Sequence, residues 1–218
     1  MTGKPLLQAI FFDFDGVIVD SNSIKSTAFR ILFRNCDQEI ASKVVAYHQQ
    51  HGGISRVEKI RYTYQHILKQ PLSEEKLERL AKRYSELVMD KVVPISLIDG
   101  VQEFLDSVQG ILPIFVISGT PEDELKQIIQ RRKMSGYFQK ILGSPTKKPA
   151  HISNLLSEYR LDPGNCVFVG DALTDFKAAK ETGVAFIGIQ GEVDFPQGTT
   201  VLPDCTKLRE AIEKRFAW

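Results

Sequence analysis

Two aspartates, Asp13 and Asp15, stand in the stretch FFDFDGVIVD at the end of an apolar run, with Gly16 next and Asp20 close behind. Burying one carboxylate beside apolar residues is costly, and a second like charge nearby adds to the cost. Further along come Ser118-Gly119-Thr120, the pair Lys147-Lys148, and Asp171 followed by Asp175. Carboxylates converging on one spot repel unless a cation shares them. A hard divalent ion with oxygen ligands, Mg²⁺ first among them, answers that need. The stretch GTPEDE at 119–124 reads as a helix start, where free backbone N–H groups favour an anion. A hydroxyl and a lysine complete a set suited to holding and moving a phosphoryl group.

Such groups can meet only if the chain brings distant segments to one edge. Short runs that are apolar throughout, AIFF at 9–12, LPIFVIS at 112–118, CVFVG at 166–170 and VAFIGI at 184–189, suit parallel strands buried on both faces, with FQKIL at 138–142 a weaker fifth. Helical patterns lie between them. One opens with Thr120 as N-cap and Pro121 at the first helical position, and another, LTDFKAAKETGV, is stopped by Gly183. Strand–helix alternation implies a three-layer α/β core with a parallel sheet, and ligand sites on such sheets lie beyond the carboxyl ends of the strands. Residues 21–92 break the rhythm with four helical stretches, about 23–35, 39–51, 55–69 and 73–92, and no convincing strand. The expected organisation is a core of residues 1–19 and 97–218 and a helical cap of residues 20–96 inserted after the first strand.

The segments DFDGVIVD, ISGT, KKPAHI and VGDALTD resemble, in order and spacing, the four motifs of the haloacid dehalogenase superfamily. The place of the insertion resembles the branch with a helical cap, which includes phosphoglycolate phosphatases and β-phosphoglucomutase. The resemblance implies a Rossmann-like core and a Mg²⁺-dependent phosphatase acting on a small phosphorylated metabolite, such as a sugar phosphate or phosphoglycolate. It implies Asp13 as nucleophile, giving an aspartyl-phosphate, and Asp15 as the acid and base that moves protons. Asp13, the main-chain carbonyl of Asp15, and Asp171 would hold the metal, with Asp175 in support. Ser118, Gly119 and Lys148 would hold the phosphoryl oxygens; Lys148 fits the Lys-Pro pattern better than its neighbour Lys147, though the adjacent pair leaves the choice open. A phosphomutase of the β-phosphoglucomutase type would share Asp13, Asp15 and the metal, and differs by returning the phosphoryl group. Receiver modules, which also accept phosphate on aspartate, carry an adjacent acidic pair on the first strand and no helical insertion of this length, so they fit less well.

The segment HGGISRVEK reads as a helix stop followed by a capping box, Ser55 with Glu58. Arg56, with His51, is the candidate for touching a polar or anionic part of the substrate; the plainer reading of Arg56 is a solvated surface residue. His48 and His51 lie three apart but have no acid or cysteine close by in sequence, so they are not read as a metal site. Asp20 is read only as a cap for the first inserted helix. The 218 residues carry mixed charges with a net of +1, which gives no electrostatic footprint for nucleic acid. Three widely spaced cysteines suggest reduced thiols, no run reaches the ~18 apolar residues of a membrane span, and the N-terminal run has no small-residue cleavage site. The expectation is a cytoplasmic enzyme whose partner is its small substrate; oligomeric state is open.

Overall fold

The apolar runs lie side by side at the centre of the computed structural model, which describes residues 3–218. Strands β1 (Ala9–Phe12), β2 (Ile114–Pro121), β3 (Lys140–Ser144), β4 (Cys166–Gly170), β5 (Ala185–Ile189) and β6 (Val201–Leu202) form one parallel sheet in the order β3-β2-β1-β4-β5-β6. The chain builds outward from β1 through β2 to β3, then returns to the other side of β1 for β4. Strand order therefore reverses between β1 and β4, which is where a doubly wound sheet opens a crevice at its carboxyl edge.

Alternation along β1 explains why the sheet is covered on both sides. Ile10 and Phe12 join one buried cluster with Val116, Val167 and Val169, capped by α5 (Val101–Val108), α6 (Glu122–Arg131) and α9 (Leu208–Arg215). Ala9 and Phe11 join the other, against Ile152 and Leu155 of α7 (Lys148–Glu158) and Ala178 and Ala179 of α8 (Leu173–Thr182). Phe11 stacks between Phe115 and Phe168, at centroid distances of 5.4 and 6.4 Å. Burying one such ring contributes about 1.5–3 kcal/mol. The weak fifth run does form a strand, displaced to 140–144, whereas β6 has only two residues and left no apolar run to read.

Between β1 and β2 the chain forms α1 (Asn22–Leu32), α2 (Gln38–Gln50), α3 (Arg56–Tyr62) with a π-helical turn over Thr63–Leu68, and α4 (Glu74–Val92). The widened turn starts where the Thr63 hydroxyl donates to the Lys59 carbonyl at 2.8 Å, a back-bond that competes with the helical ladder. Ser55 caps α3 as its sequence suggests, accepting from the Glu58 N–H. Two other caps differ from expectation. The residue before α1 is Ser21, and Asp20 is exposed. Strand β2 runs through Thr120 to Pro121, so Thr120 caps nothing; its hydroxyl is engaged with Asp15 and Lys25 instead.

The chain leaves and re-enters the sheet along adjacent paths. Val19 bridges Leu97 in antiparallel fashion, the Asp20 N–H donates to the Ser96 carbonyl at 3.1 Å, and the Ile98 N–H donates to the Ile18 carbonyl at 3.1 Å. Arg132, just after α6, ties down the returning segment at the end of α4: its Nη1 donates to the carbonyls of Val92, Val93 and Ile95 at 3.0, 2.6 and 2.8 Å. Removing the guanidinium strips a shared donor from these carbonyls. Arg132→Met should therefore lower the urea midpoint of unfolding by the equivalent of about 1–3 kcal/mol, with the slope unchanged. An unchanged midpoint would show that water replaces the guanidinium without loss.

Candidate active site

Asp13 follows β1 directly, and its N–H still donates to the Val169 carbonyl of β4 at 2.9 Å, so the strand geometry carries it to the crevice between the two. The residue is 2% exposed. Lys148, at the first position of α7, reaches in with Nζ 2.7 Å from Asp13 Oδ2 and 2.5 Å from Asp175 Oδ1. Asp175 sits in the first turn of α8, fully buried, and its other oxygen accepts from the Ala172 N–H at 3.1 Å. Asp171, at the end of β4, accepts from Asn22 Nδ2 at 2.8 Å. One oxygen from each of Asp13, Asp171 and Asp175 lies within 4.8 Å of the others.

Burial drives the electrostatics here. It pushes the Asp13 carboxyl up to about 7, against the pull of Lys148 and with a push from the Asp175 and Asp15 charges. Asp171 is pushed well up by burial first, then by the charges of Asp13 and Asp175. Lys148 is held charged by the same two aspartates although burial opposes it. A single ammonium is thus set against three buried carboxyl groups. The donor set is all hard oxygen, and a divalent cation such as Mg²⁺ fits both its chemistry and its charge deficit.

Asp15 faces the same cavity with different partners. Its carboxylate accepts from the hydroxyls of Ser21 at 2.6 Å, Thr120 at 3.0 Å and Ser118 at 3.3 Å, and pairs with the Lys25 ammonium. Burial would raise it, but Lys25 and the hydroxyls hold it below the usual carboxylate range. Between the two acids and the inserted helices the chain must turn sharply. Gly16 has φ +76°, and a Cβ there would lie 2.0 Å from Asp171 Oδ2, so no other residue fits. Gly119 is held by contact instead: a Cβ would lie 2.4 Å from the Gly53 carbonyl, because the 52–54 loop after α2 rests on it.

The structure brings Asp13, Asp15, Ser118, Gly119 and Asp171 onto one cavity of about 60 Å³, which is also lined by Arg56. Of the two lysines, Lys148 is the buried one, and Lys147 is exposed with Nζ 4.0 Å from Glu58. Arg56 is buried, not solvated, and its guanidinium grips Glu124 of α6 through two bonds of 2.9 and 2.5 Å and Ser85 of α4 at 2.5 Å. His51 is not among the lining residues: its Nδ1 donates to the Tyr47 carbonyl at 2.9 Å and its ring stacks on Tyr47. Sequence reasoning missed Ser21, Asn22 and Lys25, the residues of α1 and its cap that hold the acids. Their positions just after the first motif are the only signal, since their types are ordinary in a helix start. It also missed His48 and Lys59, which line the cavity.

Residues 10–189 match the family described as haloacid dehalogenase-like hydrolase. A phosphoglycolate phosphatase of Pseudomonas savastanoi pv. phaseolicola is 24% identical over 207 residues, covering 84% of this chain and 70% of that protein. One from Aquifex aeolicus is 28% identical over 184 residues, covering 81% and 82%. The crystal structure of a β-phosphoglucomutase from Clostridium difficile superposes with a TM-score of 0.78 at 20% identity, covering 96% of this chain and 97% of that one, a likeness of fold. The family match spans the sheet from β1 to β5 and takes in Asp13, Asp15, Asp171 and Asp175, so the chain belongs to the haloacid dehalogenase-like hydrolases, as a phosphatase among them.

Proposed function

We propose that this enzyme hydrolyses a small phosphorylated metabolite, a sugar phosphate or a phosphoglycolate-like ester, through a phosphoryl group carried on Asp13. The observation that carries the reading is the division of labour between two acids on one cavity. Asp13 sits with Lys148 and the other aspartates, whereas Asp15 sits among hydroxyls with Lys25. Asp13 attacks phosphorus, the ester oxygen leaves, and water later frees phosphate from the Asp13 carboxyl. Ser118, the Gly119 N–H and Lys148 take the phosphoryl oxygens. In its pairing with Lys25, Asp15 is ionised and fit to take a proton from the attacking water. To donate a proton to the leaving oxygen it must first gain one, which an anionic substrate favours by drawing Lys25 away. Mg²⁺ would be held by Asp13, Asp171 and the Asp15 carbonyl, with Asp175 in support, and would supply positive charge to the phosphoryl oxygens.

Residues 20–96 act in this reading as a cap over the core of 1–19 and 97–218; residues 1 and 2 lie outside the described residues. The cavity, at about 60 Å³, is small beside the ~300–1,000 Å³ of ordinary ligand pockets, and in this reading the cap moves away to admit substrate. The contacts to be parted include Arg56 with Glu124, Thr174 with the Gly52 carbonyl, and Gln49 with Glu192. The paired passages near Val19 and Leu97 are the natural hinge. Arg56 then serves closure before it serves recognition. Phosphatase relatives at 24–28% identity support net hydrolysis over the mutase alternative, which would isomerise without releasing phosphate.

Asp13→Asn should lower phosphate release from the best substrate of a sugar-phosphate and phosphoglycolate screen by about a thousandfold or more, with an unchanged far-UV spectrum. Near-wild-type turnover would refute the mechanism. Asp15→Asn should lose roughly 10²–10⁴ in kcat, the usual yield of general acid–base catalysis. In a thermal-shift titration Mg²⁺ should raise Tm saturably, by the equivalent of about 2.7 kcal/mol at a hundredfold excess over Kd. Asp171→Asn should abolish that rise, and no shift with any divalent ion in the wild type would contradict the metal assignment.

A further inference from the structure

The cap side of the cavity carries three cations, Lys25, Arg56 and Lys59. Two have carboxylate partners: Lys25 meets Asp15, and Arg56 meets Glu124. Lys59, on α3, has no carboxylate within ion-pairing distance among the described residues, yet it is 4% exposed. Its Nζ donates to His48 Nδ1 at 2.9 Å and to the His48 carbonyl at 3.1 Å. That histidine is pinned in turn, its ring 4.6 Å from Phe29. An ammonium has three N–H bonds, so after His48 takes two, one remains for the cavity that Lys59 lines.

Burying an ammonium without a counter-ion is costly, and a neutral donor could make the same two bonds to His48 without that cost. The strain is visible in the site: burial, with the Lys25 charge added, pushes Lys59 down to about 7, and burial pushes His48 down to about 2. His48 therefore stays a neutral acceptor that aims the lysine and does not share its charge. The charges of Asp15, Glu192 and Asp171 favour the ammonium from across the cavity, but none of them pairs with it, and Glu192 is held by Gln49 at 2.9 Å. An anion entering on the cap side would complete the pairing that the protein leaves open.

We propose that Lys59, aimed by His48, binds a second anionic group on the leaving portion of the substrate, so that this enzyme selects phosphate esters carrying a carboxylate or a further phosphate. The assignment rests on the reading of Asp13 as phosphoryl acceptor, since that fixes which end of the substrate faces the cap. Lys59 is a specificity residue here and takes no part in bond breaking.

Matched pairs of esters test it: phosphoglycolate against 2-hydroxyethyl phosphate for a carboxylate, and a sugar bisphosphate against its monophosphate for a phosphate. The wild type should favour the anionic member of one pair by at least about tenfold in kcat/KM, a difference of ~1.4 kcal/mol, and that pair identifies the group. Lys59→Met should erase most of the preference, chiefly by raising KM for the anionic member, and Lys59→Arg should restore part of it. A wild type that hydrolyses both members of each pair equally overturns the assignment while leaving the phosphatase reading intact. So does a folded Lys59→Met that keeps the preference or loses kcat alike on both members. Should Lys59→Met not fold, the wild-type ratios and Lys59→Gln decide by the same criteria. Failure of the wild type to release phosphate from any ester would sink the underlying reading and this one with it.

Discussion

Three carboxyl groups meet one lysine in the interior of this protein, and most of the structure is arranged so that they can. Asp13, Asp171 and Asp175 come from two neighbouring strands and the helix that follows the second, and Lys148 from the first turn of another helix. In isolation such a cluster is unstable, because burial favours protonated acids and each added charge raises the next. The raised Asp13 and Asp171 show that Lys148 alone does not settle the imbalance. A divalent cation would. The sheet order, with its reversal between β1 and β4, is what puts the cluster at an open edge and not in the packed core.

The second acid depends on the inserted helices. Asp15 lies two residues beyond Asp13, but its carboxylate is held between Ser21 and Lys25 at the start of the inserted helices and Thr120 on β2. This separates the two acids electrostatically: one is pushed up by burial, the other held down by an ammonium and three hydroxyls. Neighbouring carboxyl groups in different environments can take different roles, here nucleophile and proton carrier, that identical ones cannot. Lys25 belongs to the inserted segment, so in the proposed reading an opening of that segment would part it from Asp15 and couple closure to proton transfer through one ion pair.

Much of the core was legible because its signals are local. Runs apolar throughout, such as CVFVG, have to be strands covered on both faces, and the polar residues after them have to lie at the sheet's edge. Gly16 and Gly183 announced turns that the backbone does adopt. What escaped were relations between segments far apart in sequence. Arg56 reads as a solvated or substrate-facing residue until α6 brings Glu124 against it, 68 positions away. Thr120 has the look of a helix cap, but a long-range partner, Asp15, takes its hydroxyl. Sequence favoured His51 over His48 as a substrate contact, but it is His48, packed against Phe29 and bonded to Lys59, that lines the cavity. Residue type and spacing can name candidates, but burial decides which charges are already paired.

Everything turns on whether Asp13 receives the phosphoryl group. With para-nitrophenyl phosphate the leaving group needs no acid, so in Asp15→Asn the first step should still run while water attack stalls. Borohydride trapping of that variant under turnover, followed by peptide mass spectrometry, reads the site directly, since reduction converts an aspartyl-phosphate to homoserine. The account predicts homoserine at position 13 and at no other acid, dependent on substrate. Homoserine at position 171 or 175, or none at position 13 while substrate is consumed, would contradict it.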